Sequence, residues 1–300
     1  MTAIKDILAL KEERQATILA HNYQIPEVQD VADLVGDSLE LSRAAARLDT
    51  EVIIFCGVDF MAETAAILSP QKKVVLPEKG AWCPMAHMIT PDQLRDLKAL
   101  HPKAAVVCYV NSTAEIKAES DVCCTSANGV QVVNSLSENE VIFVPDRNLA
   151  AYVARFTDKK VISWNGYCYV HDHLTAEQVK AARAEHPRAE VLVHPECRPE
   201  VIDEADFTYS TAGMGRHAKA SAAREFIIGT EEGMIYRLKK ENPDKEFYPL
   251  TTNAVCQNMK KTDLVKVLRA LQTLEPQVTV SEEIAARARR SIERMLAVKI

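Results

Sequence analysis

The chain repeats itself three times. A shift of 85 residues carries Cys83 onto Cys168, Thr90 onto Thr175 and His101-Pro102 onto His186-Pro187. It also carries Tyr109-Val110-Asn111 onto His194-Pro195-Glu196, Asp121 onto Asp206 and Thr125-Ser126-Ala127 onto Ser210-Thr211-Ala212. A shift of 88 carries His21-Asn22-Tyr23 onto Tyr109-Val110-Asn111 and Ser38 onto Ser126. Such a period exceeds the roughly 20 to 50 residues of a solenoid repeat. It is long enough for a complete small α/β unit. The repeat therefore predicts three units about a pseudo-threefold axis, over residues 1–83, 84–168 and 169–261. The helices expected within 262–300 would return to the first unit. A site on the axis would draw one contribution from each unit.

Apolar runs of strand length alternate with helical periodicity throughout, which predicts short parallel sheets covered on both faces, an αβα class. In the first unit the strands are expected at Ala16–Ala20, Val52–Phe55 and Lys73–Leu76, with helices at Pro26–Val35, Leu39–Leu48 and Phe60–Leu68. The second unit repeats the pattern, with strands at Ala105–Val110, Val122–Cys124, Val141–Val144 and Lys160–Ser163. The third places them at Glu190–Val193, Phe207–Tyr209, Phe226–Gly229 and Phe247–Pro249.

On this frame His21, Tyr109 and His194 each close the first strand of their unit. Ser38, Ser126 and Thr211 each lie at or just before a helix start. Ligands of open α/β sheets bind beyond the carboxyl ends of strands, and helix N-termini attract anions. Taken singly each hydroxyl is an ordinary cap; recurrence in all three units points instead to a small ligand carrying several carboxylates or phosphates. The rival anion signatures are missing: the nine glycines form neither GxGxxG nor GxxxxGK[ST].

A net charge of −6 offers no general attraction to nucleic acid or to an anionic membrane surface. No apolar run approaches the roughly 18 residues that span a bilayer, and MTAIKDILALKEERQ lacks the features of a signal peptide. A cytoplasmic location is the expectation. Eight cysteines are too few for a disulfide scaffold of this length. Cys56, Cys108, Cys123 and Cys124 sit in or beside apolar strand-like runs and read as buried small hydrophobes. Cys83, Cys168 and Cys256 occupy loop-like surroundings. Widely spaced single cysteines suit an iron–sulfur cluster bridging three units better than zinc, which favours close pairs such as CxxC. Core or incidental cysteines remain the alternative. Three ligands would leave one iron open to act as a Lewis acid, so dehydration or condensation is expected rather than electron transfer. An iron–sulfur redox sensor, and a different cluster-dependent hydro-lyase, are the other readings.

The segments LAHNYQIPEVQD, GDSLELSR, FCGVDFMAETAAIL, CPMA, YVNSTAE, TSANGVQVV, PDRNLA, VHPEC, STAGM and NMKK, in this order, resemble the quinolinate synthase family. The resemblance implies condensation of iminoaspartate with dihydroxyacetone phosphate to quinolinate, phosphate and two waters, in de novo NAD biosynthesis. It implies three α/β domains around one 4Fe-4S cluster held by Cys83, Cys168 and Cys256, with one open iron. His21, Ser38, Tyr109, Asn111, Ser126, His194, Glu196 and Thr211 match its substrate-binding positions. Val110 and Pro195 lie inside the same motifs and join the expected substrate contacts. Glu196 is the expected base, with His21, Tyr109 and His194 passing protons. Tyr23, Asp37, Met61, His171 and Ser210 surround these positions. Trp82, Tyr167 and Tyr169 depart from the family pattern beside the first two cysteines, and Cys197 is a rival ligand. The only expected protein partner is a transient one, the enzyme that makes iminoaspartate.

Overall fold

The computed structural model describes residues 2–298. Among them, twelve strands build three four-stranded sheets. The first sheet holds β1 (Ala16–His21), β2 (Leu34–Gly36), β3 (Val52–Cys56) and β4 (Lys73–Val75). The second holds β5 (Ala105–Tyr109), β6 (Val122–Cys124), β7 (Glu140–Val144) and β8 (Lys160–Ser163). The third holds β9 (Glu190–Val193), β10 (Phe207–Thr208), β11 (Glu225–Gly229) and β12 (Glu246–Pro249). Every named pairing is parallel. The three sheets share one order, with the first strand between the second and third and the fourth outermost. This is the αβα architecture that the repeat predicts.

One aspartate per unit sets that order. Asp33, Asp121 and Asp206 each accept a backbone N–H of the first strand, from Ile18, Val106 and Val191 at 2.8, 2.7 and 2.8 Å. Their own N–H groups donate to the carbonyls of those same residues. This clamp starts the short second strand of each sheet. It also corrects the expected helix Pro26–Val35. That helix ends at Val31, and Leu34–Gly36 forms β2 against Leu19–His21.

Burial follows from two-sided coverage. All of β3 is buried, with Ile53 and Ile54 fully so. Each such side chain contributes about 1.5 to 3 kcal/mol by leaving water. Thr90 and Thr175, equivalent under the repeat, start helices Pro91–Leu100 and Ala176–Glu185 with matching capping boxes to Gln93 and Gln178. Helix Leu264–Thr273 packs on the N-terminal helix Thr2–Glu13 and on β3. Helix Glu282–Ala297 lies mainly on helix Ala114–Ala118 and β6, with a smaller contact to helix Asp59–Leu68. The C-terminal pair thus spans the first two units. No helix among the described residues is long and apolar enough to cross a membrane.

Candidate active site

The carboxyl ends of all three sheets open on one cavity of about 750 Å³, mouth included. Its wall carries His21, Ser38, Tyr109, Asn111, Ser126, His194, Glu196 and Thr211, with Cys83, Cys168 and Cys256. Tyr23, Asp37, Met61 and His171 join them. Val110 and Pro195 do not reach it; both are buried in the backbone turns that carry their neighbours.

The cysteines divide as their surroundings suggested. Cys56, Cys108, Cys123, Cys124 and Cys197 are buried, whereas Cys83, Cys168 and Cys256 are partly exposed and line the cavity. Cys197 turns its thiol to the Gly229 carbonyl at 3.6 Å, away from the cavity. Burial pushes the three cavity thiols up in pKa, and neighbouring thiols add to the rise at Cys83 and Cys168. They therefore ligate only when a cation displaces their protons. Each cysteine loop is tied by a carboxylate that follows the third strand of its unit. Asp59 accepts the N–H of Cys83 at 3.0 Å, Asp146 that of Cys168 at 3.2 Å, and Glu231 that of Cys256 at 3.0 Å. Gly166 lets the second loop reach this bond, since a Cβ there would meet the Pro145 carbonyl oxygen at 2.5 Å. Tyr169 lines the cavity and its hydroxyl accepts the Gln257 N–H at 2.9 Å, joining the second and third cysteine loops. Tyr167 instead stacks on Arg147, and Trp82 packs edge-on against His87. Three thiols free of disulfides, one from each unit, line the same cavity on loops anchored alike, and in donor chemistry they fit an iron–sulfur cluster; Cys168 Sγ also lies 3.2 Å from His171 Nδ1.

A second donor group, Cys168, His171 and Glu196, lies within 4.8 Å. His171 is already committed there. Its Nδ1 donates to Glu196 Oε2 at 2.6 Å, and its Nε2 lies 2.8 Å from Thr230 Oγ1. Thr230 in turn meets the Tyr23 hydroxyl at 2.6 Å. This makes a buried chain from Tyr23 through Thr230 and His171 to Glu196.

The two strand-end histidines share one device. The N–H of Tyr23 donates to His21 Nδ1 at 3.2 Å, and the N–H of Glu196 donates to His194 Nδ1 at 3.3 Å. Burial drives both imidazoles down to about 3, so both are neutral at ordinary pH. With Nδ1 accepting, each ring carries its proton on Nε2. His194 spends that proton on Ser126 Oγ at 3.1 Å, which leaves the Ser126 hydroxyl free to donate. Glu196 behaves oppositely. Burial favours its neutral form, but the interaction with His171, 2.6 Å away, outweighs burial and holds it below the ordinary carboxylate range. Glu196 Oε1 and Asn111 Oδ1 are buried without a partner among the described residues, so the cavity keeps two free acceptors.

The hydroxyls are not the helix caps. Asp37 caps helix Ser38–Arg47 and Ser210 caps helix Thr211–Ala220, each with its own side chain. The capping role falls one residue earlier, so the hydroxyls of Ser38 and Thr211 are released from it. Ser126 lies three residues before helix Gly129–Asn134. Asn22, Thr230 and the loop-tying carboxylates are functional candidates that residue-type reasoning passed over. The carboxylates were visible in the repeat, since the shift of 85 also places Asp146 on Glu231.

The family model described as Quinolinate synthetase A protein matches residues 5–297. The chain is 62% identical over 293 residues to the quinolinate synthase of Methanoregula boonei, covering 98% of this chain and 97% of that one. It is 57% identical over 292 residues to the quinolinate synthase of Dehalococcoides mccartyi, covering 97% of each. With that of Clostridium kluyveri it shares 52% over 297 residues, covering 99% and 98%. The chain thus belongs to the Quinolinate synthetase A protein family.

Proposed function

We propose that this protein condenses iminoaspartate with dihydroxyacetone phosphate, releasing quinolinate, phosphate and two waters, as the quinolinate-forming step of NAD biosynthesis. The observation that carries this is the convergence of three cysteines, three hydroxyls and two neutral histidines on one cavity. Cys83, Cys168 and Cys256 would hold a 4Fe-4S cluster, which supplies a Lewis-acidic iron without a protein ligand, suited to drawing a hydroxyl off as water.

The chain's own groups bind and move protons. Ser38, Ser126 and Thr211 donate to the carboxylates and phosphate of the substrates, two of them beside helix N-termini. His21 Nε2–H supplies a neutral donor on the same wall, and Asn111 Oδ1 offers an acceptor for the substrate nitrogen. Glu196 Oε1 accepts the proton lost as the ring forms. The His171 Nδ1–H, backed by Thr230 and Tyr23, holds and orients Glu196 for that role, and Tyr109 lines the same space as a donor. Eight free thiols suit a reducing cytoplasm, and a transient contact would receive iminoaspartate from the enzyme that makes it. The test is anaerobic incubation of the reconstituted protein with dihydroxyacetone phosphate and freshly generated iminoaspartate. Quinolinate and phosphate should appear in equal amounts; their absence from fully loaded protein would overturn the reading.

A further inference from the structure

The amide of Asn22 is fully buried between the first and third units. Arg237 Nη1 lies 2.6 Å from Asn22 Oδ1, and Asn22 Nδ2 lies 2.7 Å from Thr211 Oγ1. An amide's two ends are alike in shape, and only its partners reveal its orientation. Here the partner decides, because a guanidinium has donors and no acceptor. The oxygen of Asn22 must therefore face Arg237, and its NH₂ must face Thr211. Thr211 Oγ1 then accepts, and its hydroxyl proton has to go elsewhere. Among the described residues no other group bonds to that hydroxyl, and Thr211 lines the cavity.

We propose that Asn22 and Arg237 are positioning residues that fix Thr211 as a hydrogen-bond donor to a bound carboxylate or phosphate. The arrangement parallels the second unit's hydroxyl, where His194 Nε2–H donates to Ser126 and frees its proton in the same sense. Arg237 is itself held, with Nε donating to Glu241 at 2.7 Å and Nη1 lying 3.7 Å from Glu40. The result is a polarity filter. A ligand presenting an acceptor at Thr211 is bound, and one presenting a donor meets a proton already there. This rests on the reading of the cavity as a site for quinolinate and its precursors.

Asn22→Asp tests it with almost no change of shape. A carboxylate still accepts from Arg237, but its second oxygen now accepts the Thr211 proton and turns it away from the cavity. Quinolinate binding to the reconstituted protein should weaken about ten- to hundredfold, the loss of one charge-assisted hydrogen bond. Thr211→Val should weaken it by a similar factor, and Asn22→Asp in the Thr211→Val background should add little. The Asp–Arg pair should leave thermal stability equal or higher, so affinity and stability move apart, which a merely structural asparagine would not produce. If Asn22→Asp binds quinolinate like the parent, the proposal is wrong; if it costs the same factor with and without Thr211, only added charge was felt and the proposal is equally wrong. Should Asn22→Asp fail to fold, Arg237→Leu frees the amide to rotate, and quinolinate affinity should fall severalfold; an unchanged affinity overturns the proposal. A parent protein that does not bind quinolinate removes the function itself and this inference with it.

Discussion

At the residue scale the chemistry turns on which atom holds each proton. Backbone N–H groups two residues on take Nδ1 of His21 and of His194, and burial keeps both rings neutral. Glu196 is the acceptor among these groups, ionised between two imidazoles with one oxygen unpaired. Glu196→Gln keeps the shape and removes the proposed acceptor of the departing proton. Turnover should fall about 10²- to 10⁴-fold, the usual worth of general-base catalysis, while titration with quinolinate shows binding retained; full activity would remove Glu196 from this role. The depressed histidines also fix a stability profile. The unfolded chain takes up protons near the ordinary value of 6.5, whereas the folded rings resist until about 3. Stability is therefore complete above about pH 6.5 and is lost as pH falls toward 3. Glu196, held low, contributes in the same direction. Urea midpoints should drop between about pH 7 and about pH 4, with a shallower slope in His21→Asn and His194→Asn. Identical slopes in parent and variants would contradict the assignment.

At the scale of elements, the three sheets were legible because each repeats the same apolar strands at the same offsets. The strand β2 was not, since Leu34-Val35-Gly36 continues the helical periodicity of Pro26–Val31. Only its equivalence to Val122–Cys124 and the clamp of Asp33 reveal a strand. Helix Ala114–Ala118 is too short to show a period, and it exists because the C-terminal helix Glu282–Ala297 packs on it. The polar wall was legible for a related reason: strand ends and helix starts recur. Asn22 and Thr230 escaped because their roles depend on partners 189 and 207 residues away. The cysteine loops give the sharpest element-level prediction. Cys83→Ala, Cys168→Ala and Cys256→Ala should each lose iron after anaerobic reconstitution, whereas Cys56→Ala and Cys123→Ala should bind about four irons like the parent. Iron analysis that fails to separate the two groups would refute the division of thiols.

At the scale of the whole molecule the three units are not joined alike. The first two share one continuous apolar core, from Leu19 and Phe55 through Val107 and Phe143 to Ile292. The third packs its own clusters around Val191 and around Phe226. Polar bonds seam it to the first unit, among them Asn22 to Thr211, Ser210 to Asp37 and Lys260 to the Tyr23 carbonyl. Toward the second unit it offers His194 to Ser126 and the Glu196 carbonyl to Asn148. Two of these seam bonds, at Thr211 and Ser126, also set which way the cavity hydroxyls donate. On the proposed reading, three equivalent loops hold one cluster and leave one iron for the ligand. Mössbauer spectra of protein loaded with iron-57, recorded with and without quinolinate, test it most directly. One iron of about four should change its signal on addition of quinolinate while the others stay unchanged. A spectrum indifferent to quinolinate, in protein that demonstrably binds it, would rule out an open iron facing the ligand.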